Sequence, residues 1–260
     1  MSENQTVLYE ATDGVATLTL NRPEVFNALN ADLHAGLMAA LRQAERDEAV
    51  RAVVIAGAGK AFCSGQDLRE LPADGAADLI DERLRASYNP LVAKLRGIPK
   101  PVIAAVHGVA AGAGLSLALA CDLRVVTEGA RLIVAFARIG LIPDCGMSYF
   151  LPRLIGPARA FELAALGGEI DAQTALQWGL VNRVVPDAEL LAAAQALAAQ
   201  LARGPAQAIS LIKRSLDRAQ DATLEQALEY EVQAQQVAAL HPDFAEGLAA
   251  FREKRPARFA

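Results

Sequence analysis

Short apolar runs recur along this chain as far as Leu151, each followed by a segment of helical period, and that alternation restricts its fold more than any other feature. VATLTLNRP alternates as a strand that Pro23 ends. ADLHAGLMAALRQAERDE then has helical spacing, and RAVVIAGAG reads as a buried strand closed by glycines. DERLRASYNPLVAKLRGIP is a second helix, ended near Gly97 and Pro99. PVIAAVHG is another strand, AGLSLALACD another helix, and LRVVTEGARLIVAF returns to strand character. Strand and helix in such regular succession predict an α/β core.

Past Leu151 the pattern turns helical. GPARAFELAALGGEI, DAQTALQWG, DAELLAAAQALAAQLARG, PAQAISLIKRSLDRAQ and TLEQALEYEVQAQQVAAL follow one another, with only VNRVV as a strand between them. We divide the 260 residues into a core at 1–195 and a helical, oligomer-forming region at 196–260. A hydrophobic share of 53% is enough for a sizeable core. The formal charge of −5 argues against general nucleic-acid binding, which needs a basic footprint. Cys63, Cys121 and Cys145 form no CxxC pair, and no cluster of His, Cys and acid suggests a metal. MSENQTVLYE lacks the basic-then-apolar form of a secretion signal. The run PVIAAVHGVAAGAGLSLALAC approaches membrane-span length, but His107 and its glycines weaken that reading. A cytoplasmic protein that does not enter the membrane is the expectation.

Two glycine-rich loops interrupt the alternation: GAGKAFCSGQDL at 57–68 and HGVAAGAGLS at 107–116. Neither matches GxxxxGK[ST] or GxGxxG, so nucleotide binding is not supported. Taken singly, such glycines commonly serve tight turns and close packing. Placed together where strand gives way to helix, they can present unpaired backbone N–H groups to a negatively polarised oxygen. An oxyanion hole for a carbonyl is the chemistry such a pair suits.

NRPEVFNALN, GAGKAFCSGQDL, KPVIAAVHGVAAGAGLSLALACDLRV and GLIPDCG stand in the order found in the crotonase, or enoyl-CoA hydratase/isomerase, family, which the chain resembles from about Gly14 to Val185. The resemblance implies a spiral of ββα units, a C-terminal helical region, and assembly as a homotrimer or homohexamer. It also implies an acyl-CoA thioester substrate and no separate cofactor, coenzyme A being part of the substrate. Carried over by position, the oxyanion donors are the backbone N–H groups of Gln66 and Ala113. Gly65, Gly112 and Gly114 support them. Asp67 reads as a helix cap. Ala28 and Leu68 fall in the implied CoA cleft, and Phe251 and Lys254 of FREKR where the family can meet a neighbouring subunit's CoA. Lys213 and Arg214 of LIKRSL are further candidates for its phosphates.

The glutamates by which hydratases of this family activate water fall, by the same carry-over, on Ser116 and Phe136. Neither can do a carboxylate's work. Ser116 suits a small polar place in a helix, and Phe136 makes its part of the pocket apolar. Asp144, the acid of FARIGLIPDCGMSYF, remains. It could cap the helix begun by SYFLPRLIG, or its apolar neighbours could raise its pKa and fit it for proton transfer. FCSGQDL, YNPLV, GVAAGAG and FARIGLIPDCG also resemble a subgroup of isomerases of phenylacetate degradation, which turn ring-1,2-epoxyphenylacetyl-CoA into oxepin-CoA and shift 3-enoyl-CoA to 2-enoyl-CoA. In that subgroup the acid/base maps onto Asp144. Tyr88 and Asn89 then line the acyl pocket, whereas core packing is their plainer role, and Met147 would reshape that pocket. An isomerase is the expectation; an enoyl-CoA hydratase, an acyl-CoA thioesterase and a nonenzymatic acyl-CoA-binding protein stay open. His34, His107, His241 and Cys145 carry no chemical signal of their own.

Overall fold

Buried apolar runs require partners on both faces, and here the runs lie side by side in one sheet. The computed structural model describes the backbone of residues 5–70 and 76–259, and the side chains of all these but 76 and 77. β1 (Val7–Thr12) and β2 (Val15–Leu20) form a hairpin. Asp13 and Gly14 turn it at positive φ, which suits the right-handed twist of the strands. α1 (Ala31–Arg46) follows, its first turn held by the Asn30 side chain, which accepts from Leu33 N–H at 2.9 Å. β3 (Ala52–Gly57) leads to a helical stretch made of α2 (Ala76–Arg83), a π-helical turn (Leu84–Tyr88) and α3 (Asn89–Gly97). Proline inside an ordinary helix clashes with the carbonyl before it; the wider turn ahead of Pro90 lets this stretch run on unbroken.

β4 (Val102–Val106), β5 (Val109–Ala111) and α4 (Ala113–Ala120) come next, then β6 (Leu123–Thr127), β7 (Arg131–Ile133) and α5 (Met147–Ile155). The rest is α6 (Pro157–Leu166), β8 (Glu169–Asp171), α7 (Ala172–Gln177), β9 (Arg183–Val185) and the helices α8 (Leu190–Ala202), α9 (Ala206–Ala219), α10 (Leu224–Leu240) and α11 (Pro242–Glu253). The large sheet has six strands in the order β1-β2-β3-β4-β6-β9, parallel beyond the first hairpin. A smaller sheet has the order β5-β7-β8.

The chain repeats one movement. A strand is laid in the large sheet, the backbone turns into a short extended piece, and a helix returns it. β4, β5 and α4 are one such unit, and β6, β7 and α5 the next. In the earlier units the short piece shrinks to single bridges, Leu29 with Gln66 and Cys63 with Ala110. This is the expected ββα spiral with a C-terminal helical region. α8 lays Leu190, Ala194, Leu197 and Ala198 on Val54, Ile103 and Val125, and so covers the sheet face opposite α1, α3 and α4. Residue 195 lies within that helix.

Two stretches fold otherwise than their sequence suggests. LRVVTEGARLIVAF divides between the two sheets, because the chain turns at Glu128–Gly129 after β6. GGEI does not extend α6: Gly167, in the left-handed region, ends the helix and the chain enters β8. No helix among the described residues is long and apolar enough to cross a membrane, since AGLSLALA is a short helix wholly enclosed by protein.

Candidate active site

Gln66 and Ala113 meet because two glycines remove the side chains that would keep their loops apart. A Cβ on Gly65 would lie 2.8 Å from the carbonyl oxygen of Ala111 and 3.5 Å from the nitrogen of Ala113. A Cβ on Gly114 would lie 2.3 Å from the carbonyl oxygen of Cys63. Leu29 fixes the first loop from behind: its N–H donates to Gly65 O at 2.7 Å, and its carbonyl accepts from Asp67 N–H at 2.9 Å. A parallel bridge of this kind engages the residues on either side of Gln66 and leaves Gln66 N–H facing away from Leu29. Gly112 N–H donates to Ile133 O at 2.9 Å and anchors the second loop. Ala113 is the first residue of α4, so its N–H has no partner within the helix.

Both residues open into a cleft of about 240 Å³. Leu68, Ile80, Leu84, Tyr88, Phe136 and Leu141 make most of its wall apolar, and Asp144 lies in it with Gln66 and Ala113. The Gln66 side chain is held aside, Oε1 accepting from Tyr88 Oη. Phe136 is buried against the second loop, so the wall is apolar at the place the family would give to a glutamate.

Asp144 is not a cap. α5 begins at Met147, its flanking residue is Gly146, and no side chain bonds to its first turn. Asp144 instead offers its main-chain carbonyl, which accepts from Met147 N–H at 2.9 Å and from Ser116 Oγ at 3.0 Å. The hydroxyl at the other glutamate position thus ties α4 to the loop that carries the acid. Of its carboxyl group, Oδ1 is buried without a hydrogen-bond partner. Burial raises its pKa above the usual 3.8, opposed in part by a hydrogen bond from the Cys145 thiol. The thiol is itself pushed up by burial and by Asp144, which leaves Cys145 an inert neighbour rather than a nucleophile.

The other residues singled out from the sequence divide. Leu68, Tyr88, Gly65, Gly112 and Phe136 line the cleft with Gln66, Ala113 and Asp144. Gly114 sits behind the wall and permits the close approach. Met147 does not shape the pocket; it is wholly buried in the core, its side chain turned inward from the first turn of α5. Asp67 is more than a helix cap: its carboxylate takes Arg22 at 3.1 Å and Arg69 at 2.7 Å, which hold it ionised well below the usual range. Ala28 is buried outside the cleft, its carbonyl accepting from Arg22 Nη1 at 2.6 Å. Phe251 and Lys254 are exposed, on α11 and at its end. Lys213 is not available to a phosphate: its ammonium is enclosed by Asp122 at 2.9 Å and by the Leu95 and Lys100 carbonyls. Sequence reading missed Ile80, Arg83 and Leu84. Ile80, Leu84 and Tyr88 recur every fourth residue, a helix-face signal that could have found them.

Comparison with known proteins identifies the family. The enoyl-CoA hydratase/isomerase family model matches residues 10–260. The chain is 44% identical to the 1,2-epoxyphenylacetyl-CoA isomerase of Escherichia coli K12, over 97% of each chain. It is also 44% identical to a Rhodobacter capsulatus protein named a probable enoyl-CoA hydratase, over 98% of this chain and 97% of that one. Among solved structures, an enoyl-CoA hydratase from Bacillus anthracis superimposes with a TM-score of 0.93 at 35% identity, covering 98% of this chain and 99% of that one.

Proposed function

Since the chain belongs to the enoyl-CoA hydratase/isomerase family, we propose that it is an acyl-CoA isomerase working with one carboxylate. The observation that carries this reading is Asp144, a carboxyl group with a buried, unpartnered oxygen in the same apolar cleft as the Gln66 and Ala113 N–H groups. The thioester oxygen of a 3-enoyl-CoA accepts from those two donors. Asp144 removes a proton from C2, and the electrons move into a dienolate whose negative oxygen the donors stabilise. Each preorganised donor of this kind is worth about 3 kcal/mol in the transition state. The protonated Asp144 then returns the proton at C4, and the double bond ends between C2 and C3. Atoms and charge balance without water. Burial of Asp144 serves both halves, because a raised pKa brings acid and base forms closer in energy.

The name of the Escherichia coli relative supports ring-1,2-epoxyphenylacetyl-CoA as the physiological substrate. Hydration is the second reading, favoured by the relatives named as hydratases. Against it stand Ser116 and Phe136, which supply no second carboxylate. For the intact protein we propose a cytoplasmic homotrimer or homohexamer, supported by Leu228, Val232, Leu240 and Phe251, apolar and exposed on α10 and α11. The test is turnover of 3-enoyl-CoA and 2-enoyl-CoA by the native protein and Asp144→Asn. Isomerisation reduced about 10²- to 10⁴-fold in the variant supports the reading. Rapid hydration of 2-enoyl-CoA that Asp144→Asn leaves unchanged would overturn it.

A further inference from the structure

Two guanidinium groups line the cleft that the isomerase chemistry above does not use; that of Arg138 donates from Nε to Gly167 O at 2.8 Å. Arg83, at the end of α2, lines the wall with Ile80 and Leu84. Its Nη2 donates to Glu70 Oε2 at 3.1 Å, whereas Nη1 is buried with no acceptor. Buried guanidinium N–H groups almost always find a partner, since leaving one desolvated and unpaired is costly. Among the described residues nothing meets that need. His34 and Tyr88 stack edge to face at 4.0 Å, and both feel the Arg83 charge. Tyr88 Oη is already committed to Gln66. The His34 ring nitrogens are buried and unpartnered, and burial together with Arg83 lowers its pKa to about 4, so the ring is neutral.

We propose that Arg83 Nη1 donates to an oxygen carried on the acyl group itself, apart from the thioester, and selects oxygen-bearing acyl-CoAs over plain hydrocarbon ones. The ion pair with Glu70 makes a neutral oxygen, such as an epoxide, ether, hydroxyl or carbonyl, the better match for Arg83. Glu70 already neutralises the guanidinium, and Asp144 in the same cleft repels a second carboxylate. In a wall that is mostly apolar, one charge-assisted hydrogen bond is a strong discriminator, because a ligand lacking the oxygen leaves the donor unpaired.

This inference rests on the acyl-CoA reading of the site but not on turnover, so binding tests it separately. Phenylacetyl-CoA and its ring-hydroxylated analogues are titrated calorimetrically into the native protein, Arg83→Met and Arg83→Gln. The expected result is a preference of about tenfold or more for one hydroxylated ester in the native protein. Arg83→Met loses that preference by a larger factor than any change in its affinity for phenylacetyl-CoA, and Arg83→Gln, which keeps a donor, recovers part of it. Absence of a preference in the native protein, or an equal weakening of all esters in Arg83→Met, overturns the inference. Failure of every ester to bind would instead count against the acyl-CoA reading itself and overturn both.

Discussion

Gly114→Ala tests the geometry on which the site depends. The new methyl would enter the space of Cys63, 2.3 Å from its carbonyl oxygen and 2.8 Å from its Cβ. Carbon–oxygen contact needs about 1 Å more than that, and no flexible side chain can yield, because the nearest obstacle is backbone. Cys63 O is itself held, accepting from Ala111 N–H at 3.0 Å. The loops must therefore separate by about 1 Å, carrying Gln66 N–H and Ala113 N–H apart. Overpacking of this size costs about 1–3 kcal/mol of stability. Catalysis suffers more, since a 1 Å misplacement costs about 10²-fold, close to the loss of one oxyanion donor. The assay is kcat and KM for 3-enoyl-CoA isomerisation, with thermal unfolding as the control for folding. The expected variant is folded, has a Tm a few degrees lower, and has lost about two orders of magnitude in kcat with a smaller change in KM. A kcat within threefold of the native value, in a protein of native Tm, would refute the reasoning.

Other perturbations separate roles that the sequence leaves mixed. Ser116→Ala removes the hydroxyl from the Asp144 carbonyl, a bond worth about 1 kcal/mol; kcat should fall about five- to tenfold, and an unchanged rate would show that the tether does not position the acid. Lys213→Met removes one of two cations on Asp122, which keeps Arg96 at 3.0 Å, and should cost about 1–3 kcal/mol in denaturant unfolding, yet KM for the CoA ester should stay within twofold. A large rise in KM would restore Lys213 to the phosphate site. Because the folded pKa of Asp144 is raised, the kcat/KM profile should fall, as pH decreases, along a limb centred above 3.8, and a limb at or below that value would contradict burial of the base. The same shift has a stability sign. A carboxyl whose folded pKa is raised contributes stability below its unfolded pKa and loses it as pH rises through the folded one. Asp144→Asn should therefore raise Tm at pH 7 while cutting turnover about 10²- to 10⁴-fold, and a lowered Tm would count against this account.

The α/β alternation, the helical C-terminal region and the two glycine-rich loops were legible in the sequence because each is local, whereas Gln66 and Ala113 as donors came from the family resemblance. Apolar runs of strand length, helical spacing and glycine at strand-to-helix turns are properties of neighbouring residues. The hairpin turned by Asp13 and Gly14 was not among those readings, although its signal is equally local. Burial and partnership are not. That Lys213 is locked inside by Asp122 depends on residues far away in the chain, and its motif, LIKRSL, looks like any basic helix face. Met147 stands three residues from Asp144, but the first turn of α5 sends it into the core.

The sequence, through the family it resembles, made Asp144 the expected proton carrier, since Ser116 and Phe136 fall where the resemblance would place carboxylates. Tertiary structure decided whether that acid was free to do so. Its carbonyl, not its carboxyl, meets the helix and Ser116, and one carboxyl oxygen is buried without a partner. Tertiary structure also found Arg83, whose unpaired N–H exists only because the turns of the spiral close a cleft around it. A residue type sets what a group can do; the desolvation and the partners that set whether it does so come from segments the sequence keeps far apart.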